Sequence, residues 1–154
     1  MTRGVSFEIP NNYGNYLKGI LKPIDIAAFD WQIGSGESYA VIWGRVDKEL
    51  FPSEKNIIEG SELKNRIETN KHYLVSVDLQ AYRHNEVGRV ETFEDFIVSN
   101  CQLVLLVVDT IYVTIYCKNQ DTIQLLINNA RACGFEDIEY ITDENDGRTR
   151  LSVW

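Results

Sequence analysis

The sequence predicts an α+β fold, with a mostly antiparallel sheet and helices packed chiefly on one face. Three observations support this class. Several segments alternate apolar and polar residues, as half-buried strands do. One long segment carries a clean helical stripe of apolar residues. Three pairs of strand-like segments are close enough in sequence to form hairpins, at Phe29–Trp43, Leu103–Cys117 and Phe135–Trp154. With 154 residues, the chain is expected to form a single domain over 1–154.

The first half of the chain predicts a strand, a helix and two further strands. Arg3–Ile9 alternates Val, Phe and Ile with polar residues, which predicts the first strand. A helix is expected to follow as far as Leu21, because apolar residues recur there at helical spacing. Phe29–Ile33 and Tyr39–Val46 are short strand patterns, and Gly34–Ser38 between them is typical of a hairpin loop.

The second half contains the strongest local patterns. Tyr73–Tyr82 alternates over its whole length and predicts a strand. Thr92 and Asp95 have the spacing of a capping box, so a short helix should begin there. Leu103–Val108 is continuously apolar, which is typical of a strand covered on both faces. Gln120–Cys133 has the cleanest helical stripe in the chain.

The order strand–helix–strand–strand occurs twice, at Val5–Trp43 and at Ile111–Trp154. One interpretation is a duplication, in which two βαββ units join edge to edge and leave a concave seam where ligands tend to bind. The other interpretation is coincidence, because amphipathic helices and hairpins are common. Duplicated modules of this kind occur in drug-binding regulators that resemble gyrase inhibitors. That resemblance is topological and implies no functional residues.

The opening segment RGVSFEIPNNYGNYL, Arg3–Leu17, resembles the start of a small uncharacterised family from Bacillus-like bacteria. This family is a domain of unknown function of about this length. The resemblance implies a shared fold over most of the chain, but it implies no activity and no site residues.

Charge is distributed unevenly along the chain. Of the formal net charge of −8, residues 1–90 contribute −1 and residues 91–154 contribute −7. An acidic second half repels phosphate groups, so neither nucleic acid nor an anionic membrane is an expected partner. The charge is explained either by a solubility surface or by an acidic face that meets a basic protein.

Known chemical motifs are not recognisable in the sequence. His72 and His84 lack zinc-ligand spacing, and Gly34-Ser35-Gly36 lacks the rest of a dinucleotide or hydrolase motif. We therefore expect no cofactor and no metal. The three cysteines are odd in number and far apart, and the chain opens on a strand pattern without a signal segment. A cytoplasmic location with reduced thiols is the expectation.

Two groups of residues are candidate ligand-binding sites. The first is Tyr82, Arg83, His84 and Glu86, which offer an aromatic ring, a bidentate cation and an imidazole just after the strongest strand. The alternative is a polar hairpin tip.

The second group is Tyr112 and Tyr116, which share one side of a strand by period 2 and could form a recognition patch with Trp154. The alternative is ordinary aromatic packing.

The function hypothesis that follows is a non-enzymatic binding module for a small molecule or peptide. It rests on the paired βαββ pattern, the aromatic content and the lack of a catalytic motif. The alternative is an acidic protein-interaction module of immunity or regulatory type, motivated by the charge of residues 91–154. An enzyme is the third hypothesis, and no motif indicates its type.

Overall fold

The computed structural model describes residues 1–51 and 56–153, and within them it has nine strands and four α-helices. The strands are β1 Thr2–Glu8, β2 Phe29–Ile33, β3 Glu37–Ile42, β4 Arg45–Glu49, β5 Ile57–Glu59, β6 Lys71–Arg83, β7 Cys101–Val108, β8 Tyr112–Cys117 and β9 Glu136–Thr142. The helices are α1 Tyr16–Ile20, α2 Gly60–Thr69, α3 Phe93–Val98 and α4 Gln120–Ala132. In the described part of the chain, no helix is long and apolar enough to cross a membrane.

The strands form one antiparallel sheet, which confirms the predicted α+β class. Its main order is β4-β3-β6-β7-β8-β1-β9, and β2 lies between β5 and β6. The central strand is β6, which has 13 residues and pairs with β7 along one edge. Its other edge takes two strands in succession. β2 pairs with Leu79–Arg83, and β3 pairs with Lys71–Ser76.

The predicted hairpin at Phe29–Trp43 is wrong. β2 and β3 run in the same direction and both lie antiparallel to β6, so the chain steps at residues 34–36 instead of reversing. The physical reason is the length of β6, which accommodates the five residues of β2 and the six of β3 end to end. The actual hairpin is β3–β4, whose turn residues Trp43 and Gly44 have φ of 55° and 73°.

Of the other two predicted hairpins, Leu103–Cys117 is confirmed, because β7 and β8 pair from Leu103 opposite Cys117 to Val108 opposite Tyr112. The hairpin at Phe135–Trp154 is wrong, because β9 pairs with β1 and residues 146–153 contain no strand. Trp154 itself lies outside the described residues. The polar and basic residues at 148–150 make side-chain bonds in place of a strand ladder.

The second βαββ unit therefore stops at strand–helix–strand within the described residues. β1 and β8 do pair, so the two units share a seam. The units are not placed equivalently, however, since β9 lies beside β1 whereas β2 lies beside β6. The sheet order thus gives no support to a duplication.

The two faces of the sheet are covered differently. Helices α1, α2 and α4 pack on one face, which confirms the expected arrangement. The other face is covered by α3 and by two irregular segments, residues 84–91 and 143–153. The capping box that begins α3 is confirmed, with Thr92 and Asp95 each accepting a hydrogen bond from the other's backbone. The sequence also predicts a short strand at Val87–Glu91, after a turn around His84 and Asn85, but that segment is irregular.

Candidate functional site

The step between β2 and β3 opens a cavity on the sheet. Its volume is about 970 Å³, and its lining includes Gly34, Ser35 and Gly36 from the step, together with Ser76 and Asp78 from β6. Because β3 is displaced along β6, β6 carries an extra residue, Val75, between its pairing with Glu37 and with Ser38. The cavity is therefore a product of strand pairing and not of a flexible loop.

The floor of the cavity is an ion pair between the buried Asp78 and the partly exposed Arg89. Arg89, from the irregular segment 84–91, donates from Nη1 to Asp78 Oδ1 at 2.8 Å and from Nη2 to Asp78 Oδ2 at 2.7 Å. The Asp78 side chain is 1% exposed and that of Arg89 is 26% exposed. The hydrogen bonds to Asp78 raise the pKa of Arg89, so the guanidinium stays charged.

The glycines of the step leave room for this pair. A Cβ atom at Gly34 would overlap the carboxylate of Asp78 and would lie 2.8 Å from Arg89 Nη1. A Cβ at Gly36 would lie 2.8 Å from the Ser76 carbonyl oxygen. The requirement is steric, since close approach of the backbone leaves no space for a side chain. Gly34 and Gly36 thus act as the wall of the cavity, whereas the sequence predicted a hairpin loop there.

The rim carries two separate groups, a pair of carboxylates and an ion pair. On one side, Glu37 and Glu49 line the cavity next to Tyr39, which lies opposite Glu49 in the β3–β4 register. Hydrogen bonding to Glu37 raises the pKa of Tyr39, and the charge of Glu49 adds to the effect. On another side, Arg150 donates to Glu91 at 3.0 Å.

The guanidinium at the floor of the cavity, that of Arg89, is already engaged. Arg89 also donates to the side chain of Gln32 at 2.8 Å and to the carbonyl of Leu151 at 3.5 Å, and its Nε lies 3.9 Å from Glu91. These hydrogen bonds occupy both Nη atoms, whereas Nε is too far from Glu91 for a hydrogen bond. Among the described lining residues, the carboxylates Glu37 and Glu49 form no ion pair with another described residue.

The predicted residue Tyr82 lies elsewhere and is buried. Its hydroxyl donates to Gln80 Oε1 at 2.8 Å, and Gln80 in turn bonds both the N–H and the carbonyl of Val90. Burial raises the pKa of Tyr82 well above its ordinary value. Tyr82 therefore supports the segment that carries Arg89.

The predicted residues Arg83, His84 and Glu86 are exposed at the end of β6. His84 Nδ1 lies 2.9 Å from Asp30 Oδ1, and the N–H of Asn85 donates to Asp30 Oδ2 at 3.0 Å. These two contacts, the Asn85 N–H first, lower the pKa of Asp30. His84 lines a separate cavity of about 290 Å³ and not the larger one.

Tyr112 and Tyr116 do not form a surface patch. Tyr112 is 53% exposed, whereas Tyr116 is 0% exposed and donates its hydroxyl to Asp146 Oδ1 at 3.0 Å. Arg3 donates to the same carboxylate at 3.1 Å. The Trp154 of the predicted patch is outside the described residues. A ligand-binding role for the exposed members of the two groups stays a prediction.

The residues that the sequence missed are Asp78, Arg89, Glu37 and Glu49. Asp78 carried a signal, because an acidic residue in the middle of the strongest strand requires a partner when it is buried. Its partner Arg89 lies 11 residues later in an irregular segment, and no sequence pattern indicated that position. Among residues 1–51 and 56–153, no three His, Cys, Asp or Glu side chains are grouped to hold a metal ion.

The fold and site define an antiparallel α+β protein with a polar cavity beside its central strand. The chain belongs to the DUF2691 family, described as a protein of unknown function, whose model matches residues 2–152. It is 48% identical over 154 residues to the uncharacterised protein YncE of Bacillus subtilis (strain 168), covering 99% of this chain and 100% of that protein. No solved structure matches the chain significantly. The resemblance inferred from Arg3–Leu17 is confirmed.

Proposed function

We propose that the protein is a non-enzymatic binding module whose cavity, between the β2–β3 step and the Asp78–Arg89 pair, holds a small cationic molecule. The observation that carries the proposal is the cavity itself, whose 970 Å³ falls at the upper end of the ~300–1,000 Å³ typical of ligand pockets. Its floor belongs to β6, which is paired along both edges. A site held by a rigid strand loses little entropy on binding.

The charge of the cavity favours a ligand with amine or guanidine groups. Among the described lining residues, carboxylates outnumber guanidinium groups by four to two, and Asp78 already engages Arg89. Glu37 and Glu49 provide carboxylate acceptors on one rim. We propose this function for a cytoplasmic protein, which the unpaired state of Cys101, Cys117 and Cys133 supports.

A thermal-shift and calorimetry screen tests the binding function. The cationic probes are spermidine and agmatine, and citrate and glucose represent anions and neutral molecules. Ser35→Trp fills the cavity from an exposed position of the step, and Lys64→Trp on the exposed side of α2 is the matched control. We expect spermidine or agmatine to stabilise the wild type and Lys64→Trp, but not Ser35→Trp. Binding that Ser35→Trp leaves intact would exclude this cavity.

Charge-neutralising variants test the ligand class. Glu37→Gln and Glu49→Gln keep the volume of the rim but remove a carboxylate, so we expect each to lower the affinity for the cationic probe about tenfold. Glu139→Gln makes the same change in net charge on β9, outside the cavity, and should leave the affinity unchanged. An equal loss in Glu139→Gln would mean that the cation binds the acidic protein non-specifically.

A second candidate function, the acidic interaction module, is favoured by the edge strand β9. Glu136, Asp137 and Glu139 are all exposed there, and Glu8 of β1 lies opposite Glu136. Hydrogen bonding to Asp137 raises the pKa of Glu8, which indicates that the carboxylates are crowded. Such an edge would attract a basic protein surface.

Capture from lysate at low and at high salt tests this candidate, with Glu139→Lys on β9 compared against Glu68→Lys on the exposed side of α2. We expect salt-sensitive capture that only Glu139→Lys abolishes. Capture that is indifferent to salt would contradict it.

A further inference from the structure

The strand at one end of the sheet, β4, has an open edge. In the described part of the chain β4 pairs only with β3, and all five of its residues, Arg45–Glu49, are exposed. Its turn carries Trp43 with 95% of its surface exposed, and Val46 is 41% exposed. An edge strand presents unpaired backbone N–H and C=O groups, which can form hydrogen bonds with a strand of a second chain.

We propose that β4 pairs antiparallel with β4 of a second copy of this chain, so that two sheets join into one through a twofold axis at Val46. A twofold axis at one residue places the residues before it opposite the residues at the same distance after it in the second copy. With Val46 at the centre, Val46 faces Val46 of the second copy. Arg45 of each copy faces Asp47 of the other, so the symmetry gives two such pairs.

The sequence of β4 is self-complementary in this register. Opposite charges directly across an antiparallel pair are favourable, and like charges are unfavourable. The register one residue later places Asp47 opposite Asp47 of the second copy, and the next places Asp47 opposite Glu49. Centring on Val46 avoids both repulsions and pairs two apolar side chains in the middle.

The exposure of Trp43 also favours a second copy of the chain as the partner of β4. A tryptophan on a hairpin tip contributes nothing to the core of its own chain, whereas buried tryptophans are strong contributors to interfaces. In the proposed register Trp43 lies in the turn just beyond the paired residues Arg45–Asp47. It would cover the end of the new strand pair. The segment is short, so the dimer should be concentration-dependent.

Sedimentation equilibrium of the full chain over a range of concentrations tests the dimer. We expect the mass to rise from monomer to dimer, and both Trp43→Ala and Asp47→Arg to weaken association about tenfold or more, because Asp47→Arg places two arginines opposite each other. The charge swap Arg45→Asp with Asp47→Arg restores opposite pairs and should restore association. Glu139→Arg on β9 makes the same charge change as Asp47→Arg and should leave association unchanged.

The outcomes separate cleanly, because every substituted residue is exposed and far-ultraviolet circular dichroism checks the fold. A monomer at all concentrations overturns the proposed self-pairing, even if β4 pairs with a strand of some other protein. A dimer that Asp47→Arg leaves intact places the interface elsewhere. A dimer that Asp47→Arg breaks and the charge swap does not restore overturns the Val46-centred register.

Discussion

The two faces of the sheet are covered by different means. On the face that carries α1, α2 and α4, packing is apolar, and helix residues such as Leu17, Leu63 and Leu126 meet a continuous layer of strand side chains. On the opposite face, two irregular segments lie against the sheet, and polar side chains fix them in place. A helix can pack on a sheet by burying an apolar stripe. An irregular segment has no such stripe, so specific hydrogen bonds must pair its backbone N–H and C=O groups and fix its position.

Three such anchors hold the opposite face. The ion pair of Asp78 with Arg89 and the hydrogen bonds of Gln80 with Val90 fasten residues 84–91 to β6. The carboxylate of Asp146, bound by the hydroxyl of Tyr116 and by Arg3, fastens the segment 143–153 to β8 and β1. The candidate cavity lies on the first anchor, so the irregular face carries the site together with a smaller apolar cluster, and the helix-covered face carries the larger core.

Removing the first anchor should produce the largest effect. Arg89→Met leaves the 1% exposed carboxylate of Asp78 without its cation, which we expect to lower the free energy of unfolding by about 3 kcal/mol. Urea denaturation measures the loss. The double variant Asp78→Asn with Arg89→Met removes the stranded charge and should recover part of it. A single variant as stable as the wild type would show that the pair does not hold the segment.

The helix-covered face also buries a polar residue, His72, which should make this face sensitive to pH. The imidazole is 0% exposed, and its Nε2 accepts the N–H of Leu17 at 3.0 Å. Burial lowers the pKa of His72 to about 4 from an ordinary 6.5, against an opposing interaction with the Asn70 backbone. The folded protein therefore holds His72 neutral where the unfolded chain takes up a proton.

Above pH 6.5, His72 is neutral in both the folded and the unfolded chain, and the free energy of unfolding keeps its full value. As the pH falls to about 4, only the unfolded chain takes up the proton, so the free energy of unfolding should decrease by about 3 kcal/mol. Urea denaturation from pH 7.5 to 4.5 measures the slope. His72→Gln keeps an acceptor for Leu17 and removes the titration, so its stability should depend less on pH. His72→Leu should flatten the slope equally but lose stability at pH 7 as well. An unchanged slope in both variants would assign the pH dependence to other groups.

The same contrast explains what the sequence could predict. The alternation of β6, the apolar run of β7 and the stripe of α4 are local, so their types and positions followed from periodicity. The step at Gly34–Gly36 was mistaken for a hairpin because a glycine-rich break looks alike whether the chain reverses or continues. Only the pairing of both strands with one long partner decides between them, and that is a long-range property.

The candidate site was hidden for a related reason. Asp78 lies in a predicted strand, yet its partner Arg89 and the rim residues Glu37 and Glu49 come from three other segments. No spacing in the sequence links them. The two tyrosines of the predicted patch show the same limit, since period 2 gives Tyr112 and Tyr116 one side of β8 but cannot tell that residues 143–153 cover Tyr116 alone.

That difference between the two tyrosines gives a matched test of the anchor at Asp146. Tyr116→Phe removes a buried hydroxyl that donates to the Asp146 carboxylate, so we expect it to lower the free energy of unfolding by about 2 kcal/mol. Tyr112→Phe removes an exposed hydroxyl from the same strand and should stay within about 0.5 kcal/mol of the wild type. Thermal denaturation of both variants measures the difference. Equal effects would show that the segment 143–153 is held by its apolar contacts instead.

The smallest effect is expected at the rim of the cavity, where the anchors give way to solvent. Arg150 donates to Glu91 at 3.0 Å, but the two side chains are 65% and 50% exposed. Exposed ion pairs contribute about 0–1 kcal/mol, because water screens the charges and the side chains lose entropy on pairing. Arg150→Gln should therefore change the free energy of unfolding by under about 0.5 kcal/mol, and 1 M salt should remove the remainder. A loss close to that of Arg89→Met would mean that the rim pair is part of the anchor, and the irregular face would then be held by one extended network and not by separate contacts.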